Sequence, residues 1–295
     1  MKHLIVGPDS HGVTEYALGL ARATGADVIR ERTFGEHPLP EGPIHVTFTD
    51  HLFGDTADTL LRRLGGRPFS VSLHDIPQPE EGAARFDRRA AVYRTLAAAA
   101  DAAVVNSQHE ARFFDAADAA VIRLPIPVID SPFAPEDSTV GVLGFLYPGK
   151  GHEDLIEALP DSRLRFLGAV SAGHEQWAAD LVRSARRVEL TGWLSSDALA
   201  AEMGRIAVPV CPHRHFSASG SLMTWLGAGR SVLVTDSDYA REIDAWLPGR
   251  VTLVGEGGWR DAVAKHEPVQ LDPPRYGWAE VAEQWEDTWR FAGLM

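Results

Sequence analysis

Residues 100–110 read ADAAVVNSQHE, and this stretch indicates the fold class of the chain. The apolar run 103–105 ends in Asn106 and Ser107, and Glu110 follows Ser107 by three residues, which is the spacing of a helix capping box. The apolar run predicts a buried strand, and the capping box predicts a helix over residues 108–115. A strand that feeds directly into a helix is the building unit of a parallel α/β sheet.

The same unit recurs on both sides of this stretch, because short apolar runs alternate with helical patterns along the whole chain. In the first half we predict strands over 3–6, 27–29, 44–48, 69–73, 103–105 and 120–124, and helices over 13–24, 55–64, 85–100 and 108–115. In the second half we predict strands over 139–144, 164–167, 188–190, 207–211, 231–234 and 251–253, and helices over 153–159, 173–184, 197–203, 221–228, 239–245 and 278–291.

The proline-rich segment 126–138 cannot continue a helix or a central strand, and it predicts a linker between two domains. We expect α/β architecture with two Rossmann-like domains, residues 1–130 and 138–274, whose parallel sheets face a central cleft. Residues 275–295 form a last helix, which carries Trp278, Trp285 and Trp289 on one face and is expected to dock near the domain interface. Ligands of such sheets bind at the carboxyl ends of the strands, so the loops there should carry the function.

Composition excludes several classes of function. The net charge is −13 and both halves are acidic, which argues against a nucleic-acid partner. No apolar stretch approaches the roughly 18–20 residues that span a bilayer. The single cysteine, Cys211, lies in an apolar run, so we predict a buried, inert thiol and a cytoplasmic protein.

Two arginine clusters are local exceptions to this acidity. They predict either solvated helix faces or a weak peripheral contact with a membrane surface or an anionic acceptor. The clusters are Arg62, Arg63 and Arg67, and Arg85, Arg88, Arg89 and Arg94.

Two loops of the first half contain candidate functional residues. Loop 7–12 (GPDSHG) feeds a helix, and such loops expose backbone N–H groups to anions, although a plain strand-to-helix turn explains it equally well. It lacks the three spaced glycines of an NAD-binding fingerprint. His74 follows strand 69–73 and is either an acid, a base or a hydrogen-bond donor, or a structural histidine that holds the turn at Pro77.

Two loops of the second half resemble phosphate-binding loops. Residues 144–153 read GFLYPGKGHE, and Lys150, one of three lysines in the chain, is framed by glycines before a helix. Residues 212–221 read PHRHFSASGS, which places small hydroxyl residues around Gly220 at a helix start. His213 and His215 superficially indicate a metal pair, but no third ligand lies nearby, so we predict no metal site. The sequence contains no Gly-x-Ser-x-Gly nucleophile elbow, so it does not support a serine-hydrolase function.

These loops, taken in order, resemble the GT-B fold glycosyltransferases of the retaining family 4. The resemblance runs through residues 11–21 (HGVTEYALGLA), 100–107 (ADAAVVNS), 144–151 (GFLYPGKG), 190–194 (LTGWL) and 276–282 (YGWAEVA). It implies transfer of a sugar from a nucleoside-diphosphate-sugar donor to a small-molecule, glycan or lipid-linked acceptor. It also implies retention of anomeric configuration, with no metal and no bound cofactor. Neither the identity of the donor and acceptor nor the oligomeric state follows from it.

The resemblance assigns roles to single residues. Lys150 matches the lysine that contacts the donor diphosphate, and Gly12 matches the loop near the donor phosphates. His74 matches a histidine beside the reacting sugar, and Trp193 lies in the loop near the nucleotide base. Lys150 and His74 are therefore the predicted catalytic residues.

Two departures from the family pattern affect the donor site. The arginine that partners the family's lysine falls on Phe145, and its Glu-x7-Glu pair falls on Phe216 and Thr224. We expect Arg214 to replace the lost positive charge. We expect the donor site to comprise Gly12, Lys150, Trp193, Arg214, Ser217, Ser219, Gly220, Ser221 and Thr224, with the serines replacing the carboxylate contacts.

The missing glutamates leave other functions open. A GT-B protein that binds nucleotide sugars without catalysis fits the same loops, and a nucleotide-sugar epimerase fits the same fold. A generic two-domain α/β binding protein is the third alternative. The order of the loops favours the transferase.

Overall fold

The computed structural model describes residues 1–54, 56–114, 119–214 and 217–295. The chain is an α/β protein that divides into two compact units. The first unit comprises Met1–Pro125 and Tyr276–Met295, and the second comprises Ile126–Arg275. Each unit contains one parallel sheet, and six strands of each sheet lie in the described residues. The predicted fold class of two parallel α/β sheets is confirmed.

The first unit has the strand order β2-β1-β3-β4-β5-β6, and every neighbouring pair is parallel. Its strands are β1 (Lys2–Val6), β2 (Asp27–Glu31), β3 (Ile44–Phe48), β4 (Phe69–Leu73), β5 (Ala102–Val105) and β6 (Ala120–Val121). Its helices are α1 (Gly12–Ala23), α2 (Asp50–Phe53), α3 (Ala57–Leu64), α4 (Ala83–Ala99), α5 (Gln108–Ala111) and the last helix of the chain, α12 (Trp278–Phe291).

The second unit has the strand order β12-β11-β10-β7-β8-β9, and these pairs are parallel as well. Its strands are β7 (Glu136–Leu143), β8 (Arg163–Leu167), β9 (Val188–Leu190), β10 (Ile206–Cys211), β11 (Val232–Thr235) and β12 (Val251–Val254). Its helices are α6 (His152–Ala158), α7 (Glu175–Ser184), α8 (Ser196–Arg205), α9 (Gly220–Gly227), α10 (Asp238–Trp246) and α11 (Trp259–Lys265).

The residues that cap α5 behave as their sequence predicts. The Ser107 side chain accepts a hydrogen bond from the Glu110 backbone N–H at 3.1 Å. The Glu110 carboxylate reaches back to the backbone N–H of Asn106 at 2.7 Å, one residue before the cap. The capping residues therefore fix the point at which β5 ends and the next helix begins.

Several predicted boundaries differ from the structure. The strand predicted over 120–124 covers only Ala120–Val121, and the helix predicted over 108–115 ends at Ala111. The predicted ends Asp55 and Asp115 lie outside the described residues. The sequence analysis missed α2, α11 and a 3-10 turn at Pro79–Glu81, because elements this short carry too little periodicity to detect.

The segment predicted as a linker lies along the second unit. Backbone N–H groups of Ile129 and Ala134 donate to the carbonyls of Gly227 and Gly204. A Cβ atom added at Gly227 would lie 1.7 Å from the Pro127 carbonyl oxygen, so these backbones are in direct contact. The segment is therefore hydrogen-bonded structure rather than a free tether.

The tryptophan-rich helix α12 belongs to the first unit. Trp285 and Trp289 are fully buried, and their indole N–H groups donate to the Tyr16 hydroxyl and the Ser70 hydroxyl. Trp278 packs so closely on α1 that a Cβ at Gly19 would lie 2.2 Å from its ring. The last helix of the chain thus completes the core of the first unit.

Candidate functional site

The loops after β7 and β10 meet where the second sheet reverses its strand order. Consecutive strands run outward from β7 on one side and from β10 on the other, and such a switch point is where α/β sheets bind ligands. A Cβ at Gly151 would lie 1.7 Å from the Pro212 carbonyl oxygen, and the Arg214 backbone N–H donates to the Gly149 carbonyl at 3.2 Å. The two predicted phosphate-binding loops therefore pack directly against each other.

Lys150 is buried at this switch point, with 5% of its surface exposed. Its Nζ donates to the carbonyls of Leu143 at 2.9 Å and Phe145 at 3.1 Å, which leaves one hydrogen of the ammonium group available. Burial lowers the pKa of Lys150 to about 8. In the described part of the chain no carboxylate lies within 4 Å of Nζ, so this ammonium has no counter-charge.

The first turn of α9 offers unused backbone donors. The Ser219 hydroxyl caps the helix by accepting from the Leu222 N–H, and the Ser219 N–H donates to the Tyr239 hydroxyl at 3.0 Å. The N–H groups of Gly220 and Ser221 have no acceptor among the described residues. Among the described residues, these two amides at the positive end of the helix dipole therefore keep their hydrogen-bonding capacity for a ligand.

Gly144 is the point at which Lys150 and α9 converge. The residue has a φ of +107°, and an added Cβ would lie 2.5 Å from Lys150 Nζ and 3.7 Å from Ser221 Cβ. The space over Gly144 is thus bordered by the ammonium on one side and by the start of α9 on the other. Only glycine leaves this space open.

Two buried histidines lie near Lys150. His152 and His213 are 0% and 8% exposed, and burial lowers the pKa of each to about 3. The positive charge of Lys150 is the second cause of this lowering, after burial. Both imidazoles are therefore neutral near neutral pH, and Lys150 carries the positive charge of this group.

Three exposed aromatic side chains flank the same edge of the sheet. Phe145 is 40% exposed, Tyr147 is 41% exposed and Trp193 is 65% exposed. The rings of Phe145 and Trp193 are 6.3 Å apart between centroids. The family arginine position that Phe145 occupies is thus part of an apolar surface beside the ammonium.

The remaining predicted donor residues are less available. Arg214 forms a bidentate ion pair with Asp154, with 2.6 Å between Nε and Oδ2, so the charge of Arg214 is already compensated. The Thr224 hydroxyl donates to the Gly220 carbonyl at 2.8 Å within α9. Ser217 is partly buried in the loop before the cap, and Phe216 lies outside the described residues.

Within the described ranges, no group of three or more His, Cys, Asp or Glu side chains is placed to hold a metal ion. His215, half of the superficial metal pair, lies outside those ranges. No helix of the described chain is long and apolar enough to cross a bilayer. Cys211 is a buried free thiol whose pKa burial raises to about 12.

His74 lies at the carboxyl edge of the first sheet and is 6% exposed. Its Nε2 is 2.9 Å from the Ser72 hydroxyl, its Nδ1 is 3.4 Å from Asn106 Nδ2, and its ring stacks on Tyr16. Burial lowers the pKa of His74 to about 3. A neutral imidazole with both nitrogens in contact with protein groups fits a positioning role better than that of an acid or base.

The first unit also contains a compensated cation at this edge. Arg89 is 6% exposed and binds Asp50 through Nε at 2.6 Å and Glu81 through Nη1. Burial alone would lower the pKa of Arg89, but these hydrogen bonds raise it. Arg63 likewise binds Glu31, and Arg67 and Arg94 donate to backbone carbonyls. The arginine clusters are therefore largely committed to partners within the unit.

Gly12 begins α1 in the loop after β1, and nothing lies within 4 Å of an added Cβ. The sequence analysis missed the residue that follows His74. Asp75 is exposed and has a φ of +52°, and in the described residues only Ser138 shares a positive φ without being glycine. Its position after β4 is a signal that the sequence contains, since residues at the carboxyl ends of strands face the ligand edge.

Solved structures share this fold along the whole chain. HepE of Anabaena, solved in complex with UDP-glucose, has a TM-score of 0.72 at 16% identity and covers 99% of this chain and 100% of its own. Sucrose-phosphate synthase from Thermosynechococcus elongatus has a TM-score of 0.70 at 14% identity, with 99% and 100% covered. AviGT4, a glycosyltransferase of avilamycin A biosynthesis, has a TM-score of 0.62 at 15% identity, with 99% and 98% covered.

No protein-family model matches the sequence, and a search of curated proteins found no relative. The likeness to the solved structures shows that the chain has the GT-B fold, as its sequence predicted.

Proposed function

We propose that this protein transfers a sugar from a nucleoside-diphosphate-sugar donor to an acceptor hydroxyl, with retention of configuration and without a metal ion. The observation that carries the proposal is the buried Lys150 ammonium at the start of α9, for which the described residues supply no counter-charge and leave two amides of the helix without an acceptor. An isolated buried charge is costly, so such a group is expected to have an anionic partner during function. A diphosphate supplies that partner.

The chemistry follows from the charge that develops on the leaving group. The acceptor oxygen forms a bond to the anomeric carbon, while the bond from that carbon to the diphosphate breaks and its electron pair stays on the diphosphate. The hydroxyl proton passes to the same diphosphate. Lys150 Nζ and the N–H groups of Gly220 and Ser221 stabilise the growing negative charge, and preorganised donors of this kind are usually the largest catalytic contribution.

Other residues receive smaller roles in this proposal. The serines before and within α9 contact the donor, and Trp193 with Phe145 covers its nucleotide portion. Because Arg214 is bound to Asp154, it holds the loop rather than the diphosphate. Gly12 stays a predicted contact of the donor phosphates, and the neutral His74 positions the adjacent backbone.

Two further observations support this choice. HepE was solved with UDP and with UDP-glucose, which are ligands of the proposed donor class. The sequence resemblance to retaining family 4 supports retention, which NMR of the anomeric proton in a transfer product tests directly. A product of inverted configuration would reject retention while leaving the donor site intact. A cytoplasmic location stays a prediction from the single cysteine.

A thermal-shift screen against UDP-glucose, GDP-mannose and ADP-glucose tests the donor site. A donor at 100 times its Kd adds about 2.7 kcal/mol of stability, which produces a clear rise in Tm. We expect the rise in the wild type and in Lys265→Met, an exposed control, but not in Lys150→Met. An equal rise in Lys150→Met would contradict the proposed role of the buried ammonium.

The second candidate is a protein that binds the donor without catalysis. It is favoured by Thr224, which occupies a family glutamate position and uses its hydroxyl within the helix. Release of nucleoside diphosphate by the purified protein separates the two candidates. A donor that stabilises the protein but is never consumed would favour the binding function.

A further inference from the structure

Three loops lie side by side at the carboxyl edge of the second sheet, because β11, β10 and β7 are neighbouring parallel strands. The loop after β7 contains Gly144 and Lys150, and the segment after β10 leads into α9. The segment after β11 leads into α10, which begins at Asp238. A contact between the start of α10 and the start of α9 therefore reaches the candidate site from the neighbouring strand.

Tyr239, the second residue of α10, makes such a contact. Its hydroxyl accepts a hydrogen bond from the Ser219 backbone N–H at 3.0 Å. Tyr239 is 2% exposed and Ser219 is 9% exposed, so this hydrogen bond is shielded from water. Packing alone does not account for the hydroxyl, since a phenylalanine would supply the same ring and a buried hydroxyl is costly unless it is hydrogen-bonded.

Ser219 joins Tyr239 to the first turn of α9. It is the N-cap residue of that helix, and its hydroxyl accepts from the Leu222 N–H at 3.2 Å. The same hydroxyl lies 3.1 Å from the Ser221 hydroxyl. The hydrogen bond from the Ser219 N–H to Tyr239 lies outside the helix ladder, so it fixes the start of α9 to another element of the unit.

The turn that is held in this way lies beside Lys150. The N–H groups of Gly220 and Ser221 have no acceptor among the described residues. A Cβ added at Gly144 would lie 3.7 Å from Ser221 Cβ and 2.5 Å from Lys150 Nζ. Lys150 is 5% exposed, and its two carbonyl partners leave one hydrogen of the ammonium unused. The buried ammonium and the helix start are independent observations, and both indicate an anionic ligand.

We propose that Tyr239 is a positioning residue for transfer of the sugar. By holding Ser219, its hydroxyl keeps the N–H groups of Gly220 and Ser221 in place beside the Lys150 ammonium, where negative charge grows on the leaving diphosphate. Amides that are fixed in advance lower the barrier because they need no reorganisation as the charge develops. The inference rests on the proposed function, because Tyr239 acts through the groups that bind the diphosphate.

One substitution removes the hydroxyl and keeps the ring. Tyr239→Phe should fold, with a modest loss of Tm from the unpaired Ser219 N–H. Tyr276→Phe is the matched control, because the Tyr276 hydroxyl lies in the first unit, accepts from Gln284 Nε2 at 3.1 Å and donates to the Arg123 carbonyl at 3.5 Å. Both substitutions remove a hydrogen-bonded phenolic hydroxyl, but only Tyr239→Phe removes one that contacts the start of α9.

The assay follows release of nucleoside diphosphate from UDP-glucose, GDP-mannose or ADP-glucose, whichever raises Tm most. Water or added glycerol is the acceptor, and the temperature is one at which all variants are folded. We expect Tyr239→Phe to lower kcat by about tenfold and to change the KM for the nucleotide sugar by less than about threefold, because the amides remain but are less well preorganised. Tyr276→Phe should change neither value by more than about twofold.

A double-mutant cycle with Lys150→Ala distinguishes positioning from a general structural role. Without the ammonium the diphosphate is no longer held against the amides, so adding Tyr239→Phe to Lys150→Ala should lower kcat by less than about threefold further. A full additional tenfold loss would show that Tyr239 acts independently of this site, and it would overturn the inference.

The outcomes also separate this inference from the proposed function. A wild type that releases no nucleoside diphosphate from any of these sugars would contradict the proposed function, and the inference would fail with it. An active wild type whose activity is lost in Lys150→Ala, together with an unchanged kcat in Tyr239→Phe, would overturn the inference alone.

Discussion

The two sheets each bury a cation near the carboxyl edge, but they treat its charge differently. In the first unit Arg89 is enclosed by Asp50 and Glu81, and each of its three guanidinium nitrogens donates a hydrogen bond. In the second unit Lys150 is hydrogen-bonded to backbone carbonyls, lies 5.9 Å from the Tyr147 ring centroid and has no carboxylate beside it in the described residues. A cation enclosed by carboxylates holds structure together, whereas Lys150, at the switch point and without a carboxylate, can receive an anionic ligand.

The histidines of the two units show the same contrast. His74 makes contacts through both ring nitrogens. Both ring nitrogens of His152 are buried, and no described residue bonds them. His74 is therefore held through both of its ring nitrogens, whereas His152 has hydrogen-bonding capacity that the described residues do not use.

The largest expected effect is on stability, from breaking the compensated site. Arg89→Met leaves Asp50 and Glu81 without their partner, and we expect the free energy of unfolding to fall by about 3 kcal/mol or more. Urea denaturation followed by circular dichroism measures this. Arg88→Met, on the exposed face of α4, should change it by less than about 0.5 kcal/mol. If Arg89→Met lowered the free energy of unfolding as little as Arg88→Met, Arg89 would not have the structural role that distinguishes it from Lys150.

Removing the uncompensated cation should act on activity instead. Lys150→Ala is expected to lower kcat/KM for sugar transfer by about two orders of magnitude or more, which corresponds to about 2.7 kcal/mol. Its effect on unliganded stability should be smaller than that of Arg89→Met. Lys265→Ala, an exposed residue on α11, serves as the control. A loss below about threefold would refute a role in transfer.

The pH dependence of donor binding sharpens the comparison. The free protein has a Lys150 pKa of about 8, and a bound diphosphate raises it. The affinity for the donor is therefore highest well below pH 8. It falls as the pH rises from about 8 towards and through the higher pKa that Lys150 has in the complex, by about tenfold between pH 7 and 9.5.

Neighbouring groups should not mask this pH effect. His152 and His213 have pKa values of about 3, and Cys211 has a pKa of about 12, so none of them titrates in this range. Isothermal titration calorimetry with UDP-glucose, or another donor that binds, gives the affinities. The same decline in Lys150→Met would assign the pH effect to another group.

The smallest effect is expected at Arg214, which the sequence analysis placed at the lost charge. Its exposed ion pair with Asp154 contributes little, so Arg214→Ala should weaken donor binding by about threefold or less. Asp154→Asn releases the guanidinium and provides the matched test. Tighter donor binding in Asp154→Asn, together with a large loss of donor affinity in Arg214→Ala, would show that Arg214 contacts the donor diphosphate.

The sequence identifies the two loops at the switch point of the second sheet because their signals are local. A lysine framed by glycines and a serine cap before a helix need only a few consecutive residues to be recognised, and the structure places both at one switch point. The sequence could not show that the Ser219 N–H donates a hydrogen bond to the hydroxyl of Tyr239, twenty residues further along the chain. Which amides stay free depends on packing between elements that are distant in the chain.

The carboxyl edge of the first sheet shows the opposite outcome. His74 and Asp75 are neighbours in sequence and look equally able to function, but one is buried and the other is exposed. That choice is made by Tyr93, Arg89 and Thr49, which reach the loop from other elements. A sequence pattern contains no information on these contacts.

The sequence alone determined the alternation of strands and helices, the parallel sheets and the place of the glycine-framed lysine. These follow from hydrophobic periodicity, capping and turn chemistry, which act over a few residues. Only the tertiary structure decided which groups keep an unused donor among the described residues, namely the ammonium of Lys150 and the amides of Gly220 and Ser221. Pairing is a property of groups brought together by folding, and the free energy of an unpaired buried charge is what reserves a site for its ligand.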